Sequence, residues 1–273
     1  MTTTLRPTEP LRHTTDGARS RRFQVCVNSR PVGTVHLATD PVFGRAVAVI
    51  GELRIDEADR RRGRGTVAAL AAEEVARGWG CRRVEITVPA EGPALRMITA
   101  LGYVERNRNM AKELGAPAPV LPAGSLGRPM TEAEFTTWHA RAVVDYARSW
   151  AERGVPEAEA DEKARRDHAR LLPRGLASPD TRFSVLEHEG TAVGMLWLAL
   201  QEERAFVYKV QSDPAHRGRG HGRSLMLLAE AQSLAAGKPV LALNVFAGNT
   251  PAERLYESLG YVSTRYDLYK DLL

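Results

Sequence analysis

The stretch VYKVQSDPAHRGRGHGR, residues 207–223, joins an apolar, β-rich run to a leucine-rich run with helical spacing. Its last part, Arg217-Gly-Arg-Gly-His-Gly222, is a glycine-rich turn that lets the backbone bend sharply and approach a ligand. Because the first amides of a helix have no partner within the helix, such a turn can hold an anion such as a pyrophosphate. The stretch therefore predicts a strand, an anion-binding turn and a helix.

Other glycine-rich motifs fit this stretch less well. The dinucleotide-binding fingerprint needs glycine at its sixth position, but GRGHGR ends in Arg223, and a Walker loop needs Gly-Lys-Ser or Gly-Lys-Thr. An RGG-type RNA-binding tract is disordered, whereas this turn lies between two periodic elements. A tight strand–helix turn without a ligand remains an alternative.

The same motifs occur twice in one order. Arg62-Gly-Arg-Gly65 precedes an alanine-rich helical stretch, the strand-like VEITVP and an LGYV segment. Arg217-Gly-Arg-Gly220 precedes a leucine-rich helical stretch, LALNVF and a second LGYV segment. The glycine motifs are 155 residues apart and the LGYV segments 158, which indicates a tandem duplication.

A segment rich in proline and glycine, GAPAPVLPAGSLGRP at 115–129, separates the two copies. Proline fixes φ and removes an amide donor, so this segment cannot form a helix or an inner strand. We predict a domain at 1–115, a linker at 116–127 and a second domain at 128–273. Each domain is long enough to bury a core.

The second copy has the predicted order ααβββαβαβ. A capping box at Thr131 and Glu134 begins a helix over 132–153, and Pro156 begins a helix that ends near Pro173. The later elements are a hairpin turning at Glu189-Gly190, a strand at 204–212, a helix at 220–236, a strand at 238–246, a helix at 250–259 and a strand at 261–272. The first copy begins with strands at 23–27 and 32–39, has no counterpart of the two leading helices, and is expected to keep its own closing strand.

The second copy resembles the GCN5-related N-acetyltransferase (GNAT) superfamily. The resemblance rests on Arg217-x-x-Gly220-x-Gly222 after VYKVQSDP, and on Asn249-x-x-Ala252-x-x-x-Tyr256. It implies an α+β protein with two tandem acyl-coenzyme A N-acyltransferase domains, each a mixed, mostly antiparallel sheet flanked by helices. It also implies acetyl-coenzyme A as co-substrate and a small-molecule or peptide amine as acceptor.

The resemblance implies a role for each matching residue. The amides of the turn hold the pyrophosphate, a bulged strand at Val210 to Ser212 binds the pantetheine, and an amide such as that of Val210 stabilises the oxyanion. Tyr256 matches the general acid for the leaving sulfur, and its alternative is a ring that only packs in the core. Asn249 matches a cofactor contact, its alternative is a helix N-cap or turn former before Thr250-Pro251, and the two roles are compatible. The implied cofactor-binding set is Val210, Gln211, Ser212, Arg217, Gly218, Arg219, Gly220, His221, Gly222, Arg223 and Asn249.

The general base stays unassigned. Acidic residues and one histidine near hairpin ends are candidates, and each can equally be a solvated charge: Glu187, His188, Glu202 and Glu203. His216 and His221 flank the turn, so they are expected to serve the loop rather than the chemistry.

The first copy departs from the pattern. Val67 replaces the last glycine of the loop when the two RGRG motifs are aligned, and Glu91 and Ile98 align with Asn249 and Tyr256 when the two LGYV segments are aligned. Isoleucine cannot protonate a thiolate, so we expect no catalysis in this copy and weak or no coenzyme A binding. A run of arginines could still hold a phosphate, or be a solvated turn: Arg60, Arg61, Arg62 and Arg64.

The composition narrows the class of protein. With 43% hydrophobic and 26% charged residues, the chain suits a globular protein, and no apolar run approaches the ~20 residues of a membrane span. No signal-peptide core follows Met1, so we expect a cytoplasmic protein without a membrane partner. Only five of the 38 cationic residues are lysine, a composition typical of a GC-rich bacterial genome. Cys26 and Cys81 are expected to be buried thiols, and no residue cluster has metal-ligand spacing, so no metal is expected.

The net charge of +5 lies in the first half of the chain. Residues 1–127 hold 19 Lys and Arg against 13 Asp and Glu, whereas residues 128–273 hold 19 against 20. Aromatic residues for base stacking are sparse there, so nucleic acid is not the expected partner. The function predicted is an N-acetyltransferase, as a monomer or homodimer, with its site in the second domain. The rival hypothesis is a non-catalytic acyl-coenzyme A sensor or scaffold.

Overall fold

The chain forms two compact units in a computed structural model, which describes residues 3–15, 17–40, 43–152 and 155–272. Unit 1 comprises Met1–Arg108 together with Thr264–Leu273, and unit 2 comprises Asn109–Ser263. Within the described ranges, no helix is long and apolar enough to cross a membrane.

Unit 1 is built around one mixed sheet. Its strands follow the order β1-β3-β4-β5-β6 and then β13 (Val262–Asp271), with β2 beside β3. β5 and β6 are parallel, whereas β3 pairs antiparallel with β1, β2 and β4, β4 with β5, and β6 with β13. The elements are β1 (Thr3–Pro7), β2 (Arg12–His13), β3 (Arg19–Val27), β4 (Arg30–Asp40), β5 (Gly44–Ile55), α1 (Arg64–Gly78), β6 (Arg83–Pro89) and α2 (Ala94–Ala100). β7 (Val104–Glu113) then leads from unit 1 into unit 2.

Unit 2 repeats this plan and adds two helices at its front. Its sheet order is β7-β12-β11-β10-β9-β8, and β11 and β12 are parallel. The elements are β8 (Ser125–Pro129), α3 (Glu132–Ala151), α4 (Glu157–Leu171), β9 (Thr181–His188), β10 (Thr191–Leu200), β11 (Ala205–Ser212), α5 (His221–Ala235), β12 (Val240–Phe246) and α6 (Thr250–Ser258). β13 (Val262–Asp271) begins in unit 2 and ends in unit 1.

The helices lie where the apolar pattern predicts them. Ala68, Ala69, Ala72 and Ala76 on α1 are fully buried, and side chains this small let the helix approach the sheet closely. In unit 2 one core lies between the sheet and α5 and α6, and a second core lies under α3 and α4. The capping box at the start of α3 is formed; α3 ends at Ala151, and the predicted last residue, 153, lies outside the described ranges.

The closing strands, β7 and β13, do not follow the prediction that each copy keeps its own closing strand. The end of β13 pairs antiparallel with β6 in unit 1, from Arg265 opposite Pro89 to Asp271 opposite Arg83. The end of β7, by contrast, belongs to unit 2, where β7 neighbours β12. The units therefore end at Arg108 and Ser263, where the sequence analysis placed its first boundary at 115 and kept the C-terminus in the second domain.

Equivalent contacts hold each exchanged strand. Lys112 of β7 binds both carboxylate oxygens of the buried Glu230 at 2.8 and 2.9 Å, and its ammonium lies 5.7 Å from the ring of Tyr261. Lys270 of β13 binds Glu73 at 2.8 Å and lies 5.7 Å from the ring of Tyr103. Because both strands carry lysine at the matching position, the residue pattern alone does not say which sheet each strand completes.

Two segments have more structure than predicted. The polar residues before Phe23 form β1 and β2, and β1 pairs antiparallel with β3 from Thr3 opposite Val27 to Pro7 opposite Phe23. The end of the predicted linker forms β8, which pairs with β9. β8 is the last strand in its sheet, the edge position in which a proline such as Pro129 is tolerated.

Candidate active site

The strand before the glycine-rich turn separates from its parallel neighbour. β11 pairs with β12 at Ala205, Phe206 and Val207, whereas its continuation to Ser212 pairs with β10. The register against β10 shifts after Val207, so that Tyr208 is the extra residue of a β-bulge. The bulge thus lies two residues before the predicted position at Val210. Beyond the bulge, the edge of β11 on the side away from β10 pairs with no strand among the described residues.

The turn after β11 has the geometry of an anion cradle. Gly218 and Gly220 have φ of 76° and 84°, the left-handed region that favours glycine. A Cβ atom at either position would meet nothing within 4 Å, so space is open in front of both. Gly222 serves packing instead, because a Cβ there would lie 3.2 Å from Leu255 of α6.

The amides at this turn are available to a ligand. The first helical bonds of α5 run from Arg223 and Ser224 to the carbonyl of Gly220. Among the described residues, the amides from Gly218 to Gly222 have no backbone acceptor. Open space, a helix start and free amides therefore coincide, and these features fit a pyrophosphate.

The arginines of the turn differ in their roles. Arg217 and Arg219 are exposed, and neither has an ion-pair partner in the part of the chain that the structure describes. Arg223 donates to the hydroxyl of Ser258 on α6 at 2.7 Å. Arg217 and Arg219 are thus available to phosphate oxygens, whereas Arg223 is held by the helix beside it.

Tyr256 lies on α6 within the core under α5. Its side chain is 6% exposed, its ring lies 6.1 Å from that of Tyr261, and its hydroxyl has no hydrogen-bond partner among the described residues. Burial raises the pKa of Tyr256 to about 12, so the phenol carries its proton at neutral pH. The residue combines a packed ring with a hydroxyl that is free to act as a proton donor.

Asn249 is the N-cap of α6, but its side chain makes no capping hydrogen bond. It is exposed, and its backbone carbonyl accepts from the amide of Glu253 at 3.0 Å. The capping alternative for the side chain is therefore wrong in this structure. The amide group is free for a cofactor contact.

The predicted general-base candidates do not gather at the bulge. Glu187 binds Arg128 at 2.7 Å, His188 lies against His221, and Glu202 and Glu203 are exposed at the β10–β11 connection. None of these four lies on the stretch of β11 from the bulge to Ser212.

The imidazoles of His139 on α3 and His168 on α4 pack against each other, a contact that the sequence did not predict. His168 is 6% exposed, and its ring lies 5.2 Å from that of His139 and 5.6 Å from that of Trp197. Trp197 in turn stacks on the bulge residue Tyr208 at 4.8 Å. Burial lowers the pKa of His168 to about 4, so the imidazole is neutral at pH 7. Nothing in the spacing of these histidines signals their meeting, because it depends on how two helices pack.

Unit 1 repeats the backbone of the site. Pairing of β5 with β6 stops at Ile50, and the register against β4 shifts so that Gly51 is the extra residue. Gly63, with φ of 71°, is the N-cap of α1 just as Gly220 is the N-cap of α5.

This equivalence corrects the alignment of the two loops. Gly63 and Gly220 are 157 residues apart, so Arg60, Gly63 and Gly65 match Arg217, Gly220 and Gly222. The prediction that Val67 replaces the last loop glycine is therefore wrong by two residues, because the repeated RGRG lies in a different phase of each loop.

The side chains of unit 1 still differ from those of a catalytic site. Ile98 is fully buried and has no proton to give, and Arg64 is buried in an ion pair with Asp59 rather than open to a phosphate. Cys26 and Cys81 are buried free thiols. No group of three metal-ligating side chains is found in the described ranges.

Comparison with known proteins identifies the family. Residues 2–103 and 140–261 both match the model of the acetyltransferase (GNAT) family. The chain belongs to this family. The tandem arrangement and the α+β fold predicted from the sequence are confirmed, and the chain is an acetyltransferase.

Named relatives agree with this assignment. A mycothiol acetyltransferase of Thermomonospora curvata is 31% identical over 261 residues, covering 91% of this chain and 80% of that protein. The uncharacterized N-acetyltransferase YdgE of Bacillus subtilis is 30% identical over 149 residues, covering 52% of this chain and 95% of that protein. A solved GCN5-related N-acetyltransferase from Sphaerobacter thermophilus shares the fold, with a TM-score of 0.55 at 18% identity over 92% of this chain and 80% of that one.

Proposed function

We propose that unit 2 transfers the acetyl group of acetyl-coenzyme A to a primary amine by direct attack. The observation that carries the proposal is the turn from Gly218 to Gly222, where positive φ, open space and free amides coincide beside a strand that has left its neighbour. The pyrophosphate would lie on these amides. The backbone of Val210, Gln211 and Ser212 would hold the pantetheine.

The chemistry follows from what these residues can hold. Acetyl-coenzyme A supplies a thioester whose carbonyl oxygen gains negative charge as the amine attacks. An amide on the free edge of β11, such as that of Val210, is suited to donate to that oxygen. The hydroxyl of Tyr256 holds a proton for the leaving sulfur, and a positioned acid contributes ~10²–10⁴-fold to such a step.

The proton of the attacking amine needs an acceptor. His168 is the group we favour, because its imidazole is neutral and lies against Trp197, whose ring stacks on that of the bulge residue Tyr208. A variant His168→Gln should lower kcat/KM more than it changes the dissociation constant of coenzyme A.

The acceptor is a small-molecule or peptide amine. Relatives named mycothiol acetyltransferase cover most of this chain, so mycothiol lacking its acetyl group belongs first in any panel of acceptors. We place the reaction in the cytoplasm, catalysed by a monomer or homodimer without nucleic acid.

Release of the coenzyme A thiol tests the proposal. The intact chain is incubated with acetyl-coenzyme A and a panel of deacetylated mycothiol, amino sugars, polyamines and peptides, and acetylated products are identified by mass. We expect amine-dependent thiol release that Gly220→Val abolishes. Transfer that survives Gly220→Val would place the reaction elsewhere, and coenzyme A binding without transfer to any amine would favour the sensor hypothesis.

A further inference from the structure

Three histidines from different elements meet beside the glycine-rich turn of unit 2. His221, the first residue of α5, is 5% exposed, and its ring lies 5.2 Å from that of His188 at the end of β9. The ring of His216, from the short turn before the loop, lies 6.3 Å from that of His221. The hydroxyl of Ser125 lies 3.1 Å from Nδ1 of His188. A titratable cluster thus lies directly against the start of the helix whose amides face the open space.

The corresponding places in unit 1 hold permanent charges. With Gly63 matched to Gly220, Arg64 takes the place of His221 and Asp59 the place of His216. Arg30, from the end of the β3–β4 hairpin, binds Asp59 through two bonds of 2.7 and 3.0 Å, and Arg64 pairs with the same carboxylate. One unit therefore supports its loop with an ion-paired cluster of permanent charges, and the other with histidines, the residue type used most often as a switch near neutral pH.

Other charged groups surround the cluster without neutralising it. Carboxylates near it are already engaged or lie at its rim: Asp213 accepts from the amide of Ala215, Glu187 binds Arg128, and Glu189 lies at the hairpin turn beside His188. Arg217, Arg219 and Arg223 are the cations on the loop and on α5.

We propose that the cluster of His188, His216 and His221 is a proton-linked part of the phosphate site of unit 2, so that binding of a pyrophosphate ligand takes up protons from solvent. The proposal rests on the proposed function, since it takes the turn from Gly218 to Gly222 as the place of the pyrophosphate. A negative ligand beside these rings favours their charged form.

The direction of the pH dependence follows from the signs. In the protein without ligand, burial lowers the pKa of His221, and His188, His216 and Arg219 lower it further. A bound pyrophosphate opposes those positive neighbours, so it raises the pKa of the cluster and protons bind between the two values. Affinity therefore rises as the pH falls through the interval between those two pKa values, by up to about tenfold per pH unit for each whole proton taken up. In unit 1 the arginines stay charged, and no such rise is expected.

Calorimetry in buffers of different ionisation enthalpy counts the protons. The ligand is dephospho-coenzyme A, because it keeps the pyrophosphate but lacks the phosphate monoester, whose own pKa of about 6 would contribute. For the intact chain at pH 7 we expect a binding heat that varies with the buffer in the sense of proton uptake. His221→Asn should bind without that variation, whereas His13→Asn, a change at an exposed histidine of β2, should keep it.

A double substitution, called the paired exchange, provides a second test that does not depend on removing a charged side chain. His216→Asp combined with His221→Arg places the ionic residues of unit 1 into unit 2, and it should bind with a heat independent of buffer and an affinity nearly independent of pH. In Gly220→Val the site of unit 2 is blocked, so any remaining binding heat comes from unit 1. That heat should also be independent of the buffer.

The outcomes separate two kinds of failure. No binding, or a binding stoichiometry that Gly220→Val does not lower, overturns the proposed function. Binding that requires Gly220 but takes up no protons, or uptake that persists in His221→Asn and in the paired exchange, overturns the role of the histidines.

Discussion

Tyr256 and Ile98 occupy matching places on α6 and α2, and both are buried in the cores of their units. They differ in one functional group, a phenol that keeps its proton because burial raises its pKa. The sequence signals this difference directly, because Tyr256 lies at a set spacing from Asn249. What the sequence left open was whether the side chain of Asn249 caps the helix, and the geometry of α6 answers that it does not.

Removing only the hydroxyl of Tyr256 should separate packing from catalysis. In Tyr256→Phe the ring remains, so we expect the thermal midpoint and the dissociation constant of acetyl-coenzyme A to change little. The turnover number should fall by ~10²–10⁴-fold, because the leaving sulfur loses its proton donor. Steady-state kinetics with the best acceptor of the panel, together with calorimetry, provides both numbers.

Ile98→Tyr is the matched control for that substitution. It should add no turnover when the site of unit 2 is disabled by Tyr256→Phe, because Asn249 also has no counterpart beside Ile98. Turnover close to that of the parent in Tyr256→Phe would leave the tyrosine with its packing role alone.

Each unit joins a strand to a helix through the same set of backbone features, which we call the shared device. A bulge at Gly51 or Tyr208, a strand that leaves its parallel neighbour and a left-handed glycine at the helix N-cap recur in both. The sequence predicts the device from its glycines and its apolar runs, but it misplaces the loop frame in unit 1. The correct alignment of the two loops depends on which glycine of each RGRG has positive φ at the helix N-cap. That depends on the backbone conformation, which the repeated letters do not specify.

The shared device predicts two separable binding sites. Valine at either N-cap is strained, because a β-branched residue is a genuine outlier at positive φ, and its side chain enters the open space in front of the loop. In Gly220→Val we expect turnover to vanish and one class of coenzyme A binding to be lost. In Gly63→Val we expect unchanged turnover and the loss of a second class.

Calorimetric stoichiometry of the intact chain measures both effects, with circular dichroism to show that each variant is folded. If the intact chain binds one coenzyme A and Gly63→Val does not change that number, unit 1 binds coenzyme A weakly or not at all. Loss of turnover in Gly63→Val would mean that the first loop takes part in the reaction.

At the scale of the whole molecule, the repeat and its α+β class are readable from the sequence, whereas the path of the chain through its two sheets is not. A closing strand is recognised by its place after LGYV and by a lysine at a set distance from LGYV, and Lys112 and Lys270 satisfy that pattern equally. Which sheet receives each strand depends on contacts remote in sequence, such as Lys270 with Glu73, 197 residues apart. The same holds for His139 and His168, which only helix packing brings together.

The exchanged strands predict what happens when the linker is cut. A protease site placed in the exposed residues 115–118 divides the chain so that the first piece keeps the end of β7, which belongs to unit 2, and the second keeps the end of β13, which belongs to unit 1. Each piece then carries a strand of a sheet formed by the other, so we expect the cut protein to elute as one species on gel filtration in native buffer. In urea the two pieces should separate, since nothing covalent joins them. Turnover should survive the cut and be lost in urea, and two pieces that elute separately and folded in native buffer would mean that each sheet is closed by its own strand.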